Sequence, residues 1–502
     1  MSNIDWSKKQ RQAPIGLLLF AVQTLRKILK GAWPILLLFI IKDGDNKNEL
    51  YFWLTIAGTL FILINGSLSY WYFRFNIEGD EFVVRKGYLK KIKLAVAIDR
   101  IQTVNIKQNI FQRVLGVVTV EIDTAGAKNA EIELIAIKKE LASEFERKFG
   151  QIRTNSSVNN EINSDNIKNT QQAVNKPIIT LSVEDLLKVG ISQNHLRNLM
   201  VVVAFVYSFY YQLGNRFQSQ IEEYAEKGIE NVAQLGTSIL ITFVVMLFIF
   251  ALVASIIKMI IKYYNFRMLH DDSNYIISYG LLNIKKINIP LRKIQLIIYE
   301  DNPIKKFLGF KSLTLYQASA ANNVKKDQKI NIPACSSEQQ KIIEEDLYNN
   351  NEEFSKAVKT HGWFFIKNFI LFTLILSPII LLLLLGDKLM DIRFFIPLVS
   401  IELILAGLLF LDYRKRNFRL NEDIIEINKG QIGNTYKRMY MYKIQSVSIK
   451  QSIFMKRRNL ATIVLYTAAG TQIIIPYIES KTAYNTANYI LFKIESSKDA
   501  WM

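Results

Sequence analysis

The sequence predicts helical membrane hairpins alternating with three α+β modules, and three observations carry that prediction. The triplet Arg100-Ile101-Gln102 returns as Lys293-Ile294-Gln295 and as Lys443-Ile444-Gln445. Eleven residues beyond each Gln, with no gap, a basic residue recurs as Arg113, Lys306 and Lys456, and a β-rich stretch follows. Two strongly apolar runs precede each copy, which makes six candidate spans in three hairpins. The copies are 193 and 150 residues apart. That spacing is too long and too uneven for a solenoid, whose period is short and steady.

The expected organisation follows. Residues 1–72 hold an interfacial helix and the first hairpin, 73–150 the first module and 151–180 a disordered linker. An amphipathic helix and the second hairpin occupy 181–262, the second module 263–350, the third hairpin 351–412 and the third module 413–498.

Near the start, Leu18, Leu19, Val22, Leu25 and Leu29 keep helical spacing, with Gln23, Arg26, Lys27 and Lys30 on the other side. This helix runs into residues 31–41, which are short for a bilayer core that takes roughly 20 apolar residues. The first span therefore recruits residues 25–29 and lets its basic side chains snorkel. A second span at 50–72 has Trp53 and Trp71 near its ends, where amphipathic rings prefer the interface. Asn65 inside it reads as a helix–helix hydrogen bond.

The first module shows short strand runs such as Phe82-Val83-Val84 and residues 117–122, then a terminal helix with Leu141, Phe145 and Phe149 four residues apart. Residues 151–176 are rich in Asn, Ser and Gln with few large apolar side chains, the composition of a linker. Asn155-Ser156-Ser157 is a chance glycosylation match if that linker is cytosolic. Ser182-Val183-Glu184-Asp185 reads as a capped helix start leading into spans at 199–213 and 235–261. The third hairpin uses 364–385 and 392–411.

Composition narrows the function classes. Of the 502 residues 50% are hydrophobic and 21% charged, which asks for both a membrane part and sizeable water-facing parts. The single cysteine, Cys335, excludes an intramolecular disulfide and reads as a small buried filler. His195, His270 and His361 have no ligand-like spacing, so no metal site is expected. The net charge of +19 fits an anionic membrane surface better than nucleic acid, given the apolar runs. No phosphate-cradling Gly-rich loop, paired His or nucleophile elbow is present, and no carboxylate pair recurs in all three copies. The expectation is a protein that is not an enzyme, with no catalytic residues and no cofactor.

The loops inside the hairpins hold only Lys42, Lys47, Arg216, Lys227, Lys388 and Arg393 of the 63 basic residues. The positive-inside rule then places both termini and all three modules in the cytoplasm of a multi-pass protein of the inner membrane. Within the spans, Lys258 is expected to snorkel. Glu402 carries more weight, because a carboxylate in hydrocarbon costs at least ~2.5 kcal/mol on insertion scales. The recurrent basic residues Arg100, Arg113, Lys293, Lys306, Lys443 and Lys456, with Arg457 and Arg458 beside the last, are candidates for anionic headgroups or a partner. The competing reading is solvated charge in a turn whose shape is what repeats. Charge also separates the modules: residues 413–498 hold 15 Lys and Arg against five Asp and Glu, a net +10, where each of the others nets +3.

Hairpin, β-rich module with its basic-Ile-Gln triplet, Leu115-Gly116 or Leu308-Gly309 after it, further strands and a last helix together resemble the bacterial pleckstrin-homology-like (PH-like) membrane proteins of the YdbS/YdbT type. The resemblance covers nearly the whole chain apart from residues 151–176. It implies a bent antiparallel barrel or sandwich of about seven strands with a C-terminal helix, a smaller one-module relative as partner, and a role in envelope stress or antimicrobial resistance. The third copy has Asn459-Leu460 where the others have Leu-Gly, so a differently built turn is expected there. The reading is a membrane scaffold that presents three cytosolic PH-like modules to a protein partner or lipid headgroups. The alternative is a transporter or export accessory, which should lose activity in Glu402→Gln where a scaffold only shifts in stability.

Overall fold

The structure is a computed structural model of the chain and describes residues 6–19, 21–22, 48–124, 132–147, 177–193, 204, 208, 232–271, 273–318, 329–348, 353–385 and 392–497. The first and third expected spans lie outside these residues apart from two positions in the third, and so does the expected linker up to 176; its last residues are ordered instead, with Ile179–Thr180 forming a two-residue strand in which Ile179 is buried.

Each copy of the sequence pattern folds into six strands. The first has β1 (Arg74–Glu78), β2 (Glu81–Lys86), β3 (Ile92–Ala97), β4 (Ile101–Gln108), β5 (Val117–Thr124) and β6 (Ile132–Lys138). The second has β7 (Arg267–Asp271), β8 (Asn274–Tyr279), β9 (Ile284–Pro290), β10 (Ile294–Asp301), β11 (Phe310–Gln317) and β12 (Lys329–Ser336). The third has β13 (Asn417–Leu420), β14 (Ile424–Lys429), β15 (Asn434–Tyr440), β16 (Ile444–Lys450), β17 (Leu460–Thr467) and β18 (Gln472–Glu479). In every copy a single 3-10 turn, Ile98–Arg100, Leu291–Lys293 or Met441–Lys443, separates the third strand from the fourth. The basic residue of the triplet ends that turn, and its Ile and Gln open the fourth strand.

The strands do not pair copy by copy. One compact unit comprises 1–177, 268–291 and 320–322, and the other 178–267, 292–319 and 323–502, so the division falls inside the second copy. In the first unit β1-β2-β3 form one antiparallel sheet, while β6-β5-β4 continue through β9 and β8 to β7. In the second unit β12-β11-β10 continue through β15 and β14 to β13 and the two-residue strand Val358–Lys359, while β16-β17-β18 stand as a three-stranded sheet. The fourth strand of one copy therefore takes the third strand of the next as its neighbour.

The two joints share one register. Ile106 faces Lys286 across β4 and β9, and Tyr299 faces Tyr436 across β10 and β15. Ile106 and Tyr299 both stand five residues past the triplet Ile, and Lys286 and Tyr436 both stand five residues before the 3-10 turn. A cation on the incoming strand closes each joint onto the helix that ends the preceding copy. Lys286 Nζ lies 2.6 Å from Glu146, on helical residues 139–147. Arg438 lies 2.9 Å from Glu344 of the helix Ser337–Tyr348 and 2.6 Å from Glu426. The Tyr348 hydroxyl of that helix donates to the Arg438 carbonyl at 2.8 Å.

Alternation at a period of two builds the cores. Phe75, Phe82, Val84 and Val96 face Val118, Val120, Ile122, Ile132 and Leu134, and Phe145 of the closing helix caps them edge-on to Phe82 with ring centroids 5.2 Å apart. In the second unit Phe418, Ile425, Ile427, Ile463, Leu465 and Ile475 form the core with Ala483 and Ile490 of the closing helix Ser480–Ser496. Leu296 and Ile298 of β10 belong to that same core. The third copy thus lacks a complete core of its own. The triplet isoleucines Ile101, Ile294 and Ile444 are all buried.

Four long helices fall where spans are expected: α1 (Asn48–Tyr72), α2 (Val232–Tyr263), α3 (Trp363–Leu385) and α4 (Ile392–Lys415). Among the described residues only Val245–Tyr263 is both long and apolar enough to cross a bilayer, so six spans are not supported by the described helices. Among the described residues Trp363–Ile375 is a shorter apolar helix. Asn65 does not reach another described helix. Its amide donates to the Tyr88 hydroxyl, in the β2–β3 loop, at 3.0 Å. Ser182 caps the helix Val183–Ile191 as its sequence predicts, with the Asp185 side chain returning the bond.

Candidate functional site: three basic turns with apolar tips

Between the fourth and fifth strands of every copy sits one short helical turn, Ile110–Val114, Pro303–Phe307 or Ile453–Lys456. A polar residue caps each. Asn109 Oδ1 accepts from Gln112 N at 2.8 Å, Asn302 Oδ1 from Lys305 N at 2.7 Å and Ser452 Oγ from Met455 N at 3.3 Å. Because the cap fixes the phase of the turn, the third residue after it points inward in all three. Gln112 donates to Thr119 Oγ1 and Lys305 Nζ to Ser312 Oγ, both at 2.7 Å, and Met455 is buried. Burial pulls the Lys305 pKa down.

The residue after that points outward, and it is Arg113, Lys306 or Lys456, all exposed. Each turn then closes with a left-handed residue: Gly116 at φ 67°, Gly309 at φ 75° and Asn459 at φ 53°. Their amides donate to the carbonyls of Arg113, Lys306 and Lys456 at 3.2, 3.2 and 3.1 Å. The expectation of a different third turn is therefore corrected. Asn459 stands in the place of the glycine, because Asn is among the few side chains that tolerate this conformation.

The tips of the turns are apolar and face outward. Phe111 is 70% exposed, Phe307 90% and Phe454 67%, with Val114, Ile304 and Ile453 beside them. The chain segment that leads into each hairpin is held against its turn. Ala13 and Leu19, with Ile15, pack against Val117 and Leu115, and Ala13 N donates to the carbonyl of Ala136 at 2.9 Å. Asn302 Nδ2 donates to the Ser192 carbonyl just past the helix Val183–Ile191 at 2.8 Å. In the third copy His361 N donates to the Tyr477 carbonyl at 2.7 Å, and the Arg458 guanidinium lies 3.6 Å from the ring centre of Trp363, the first residue of α3. The side chains of Lys456 and Arg457 form no ion pair or hydrogen bond among the described residues.

The triplet's basic residues go elsewhere. Arg100 is exposed. Lys293 and Lys443 are buried, and Lys443 Nζ donates to the carbonyls of Ile294 at 2.7 Å and Arg292 at 3.2 Å, between Tyr440 and Tyr442. Its burial pulls the lysine pKa down to about 8. Lys443 is thus spent inside the protein, and the surface-facing candidates are Arg100, Arg113, Lys306, Lys456, Arg457 and Arg458. Arg113 also donates to the Leu281 carbonyl at 3.3 Å. Glu402 stands apart from all of these, on α4, where its carboxylate accepts from the Thr373 hydroxyl of α3 at 2.8 Å. Cys335 is buried, with its thiol pushed up to about 12 by desolvation, as suits a filler. The aromatic tips and Trp363 escaped the sequence reading, although an apolar residue recurs beside each repeated basic one.

Compared with known families, the chain matches Bacterial PH domain three times, over residues 22–152, 228–351 and 366–492. Among curated proteins it is similar to the UPF0699 transmembrane protein YdbT of Bacillus subtilis (strain 168), at 25% identity over 91% of this chain and 92% of that one.

Proposed function

Because the chain belongs to the bacterial PH domain family, we propose that it is a scaffold of the cytoplasmic membrane whose three turns rest on the anionic inner leaflet. Six spans in three hairpins anchor it, and both termini and all modules are cytoplasmic, in line with the transmembrane description of its Bacillus relative and with the basic-residue count of the loops. A smaller one-module relative is the protein partner this reading expects.

The observation that carries the lipid part is the third turn. Exposed Phe454 and Ile453 stand beside Lys456, Arg457 and Arg458, and Arg458 covers Trp363 where α3 begins. Tryptophan prefers the headgroup layer, so a turn stacked on it sits at that depth. Its apolar tip then enters the acyl boundary, and each basic residue adds on the order of 1 kcal/mol toward an anionic leaflet.

The test reconstitutes the full chain in liposomes with a spin label at Phe454→Cys and compares collisions with oxygen and with a water-soluble nickel chelate. A buried label favouring oxygen on anionic bilayers is expected. Changing Lys456, Arg457 and Arg458 together to Ser should raise it into water and remove the dependence on salt, since the Debye length is about 8 Å at physiological ionic strength. A label equally open to the chelate on neutral and anionic bilayers would sink the lipid reading.

A further inference from the structure

Every fourth strand that has a following copy is covered by that copy's third strand, which among the described residues leaves one fourth strand and one third strand at sheet edges. Among the described residues β16 is the edge of β16-β17-β18, and β3 is the edge of β1-β2-β3. Burial registers the difference. Gln295 and Leu296 of the covered strand β10 are 2% and 1% exposed, whereas their equivalents Gln445 and Ser446 on β16 are open. At the other end Ile92, Lys93 and Ala95 of β3 are exposed, while the corresponding residues of β9 and β15 are half-buried.

We propose that β16 of one chain pairs antiparallel with β3 of a second copy, repeating between chains the joint that the chain makes twice within itself. The occupant is a second copy because, among the described residues, both covered fourth strands take a third strand ahead of a 3-10 turn on this edge, and β3 is such a strand with no neighbour on its outer side. The shared register of the internal joints fixes the new one. Ile449 faces Lys93, Ser448 faces Leu94 and Val447 faces Ala95, by transfer from Tyr299 on Tyr436, Ile298 on Lys437 and Ile297 on Arg438. Lysines on both sides do not bar it, since Lys107 and Lys285 stand opposite each other in the first joint. Backbone hydrogen bonds supply the attraction, and alternate side chains set the register.

The contact is head-to-tail, so it uses different surfaces on the two partners and grows into open chains or rings. It is weaker than the internal joints. Glu146 and Glu344 each stand eight residues past the end of the last strand and clamp the incoming cation. Ala487 holds that place in the third copy. The inference uses none of the turn residues and stands whether or not they touch lipid.

The test places Ser448→Cys and Leu94→Cys in the full chain and oxidises native membranes mildly; buried Cys335 does not compete. A ladder of disulfide-linked dimers and larger species is expected, absent from either single variant. Ser448→Cys with Ala97→Cys, three residues out of register, should lose at least tenfold of the product. No ladder in membranes or in gentle detergent overturns the proposal. So does a Ser448→Cys chain that cross-links only to a different protein, which would give the edge to a partner such as a one-module relative.

Discussion

The triplet and the turn eleven residues after it look alike as sequence, since each is a basic residue repeated three times at fixed spacing, yet they serve opposite ends. The triplet is an internal fitting: its isoleucines are buried, and Lys443 is bound to the backbone of the preceding copy. The turn is a rim, with its basic and aromatic side chains in the open. Repetition therefore marks shape, and only burial shows which repeats are free to meet something else.

The hardest blow to this contrast is a charge on the internal side. Ile444→Asp puts a carboxylate into the core around Phe418 and Ile463, a change expected to cost about 3–5 kcal/mol. Proteolysis of the solubilised full chain should show it, while Lys456→Ser or Arg457→Ser, whose side chains are exposed, each stay within about 0.5 kcal/mol. Parent-like resistance in Ile444→Asp would place the triplet on the surface.

A pH series sharpens the same contrast. Lys443 binds its proton less tightly folded, with a pKa of about 8 against an ordinary 10.5, because of desolvation. Between those values the unfolded chain holds more protons, so stability rises with pH across that window and the penalty is fully present below about 8. At about 1.4 kcal/mol per unit the rise is on the order of 3 kcal/mol. Lys437, pulled down to about 8 chiefly by desolvation, adds a similar rise. Lys443→Met should remove its own share of the slope in denaturant titrations from pH 7.5 to 10.5. A slope identical to the parent's would mean the ammonium is solvated.

Much of this was legible in the residues. Alternating runs gave the strands, the Ser182 cap gave its helix, and the phase of the triplet gave three buried isoleucines. The joints were not legible, because local pattern says that a strand has an open edge and not whose strand fills it. Lys443 misled in another way, since a lysine in a turn reads as solvated until two carbonyls are found facing it. Phe111, Phe307 and Phe454 escaped the reading, because no hydrophobic period marks an aromatic side chain that a capped turn holds outward. The spans were read from apolar runs alone, and among the described residues Val245–Tyr263 is the one stretch long and apolar enough to cross a bilayer.

The smallest effect tests whether the three turns are one device. The expectation set Asn459-Leu460 against Leu-Gly, one residue out of step: counted from Arg113, Lys306 and Lys456, and by the backbone, Arg458-Asn459 stands there, with Asn459 at φ 53° where Gly116 and Gly309 sit at 67° and 75°. If conformation is what repeats, Asn459→Gly should be almost neutral, because glycine enters this region without steric cost but loses more entropy on folding. Asn459→Val should cost about 1–2 kcal/mol, since a β-branched side chain clashes there. The wider reading adds a second expectation: Phe454 should lose its depth in the bilayer in the Val variant and keep it in the Gly variant, because the left-handed residue aims the tip. A Val variant as stable as the parent would show that the third turn is not held in this conformation, and the equivalence between the third rim and the other two would fail with it.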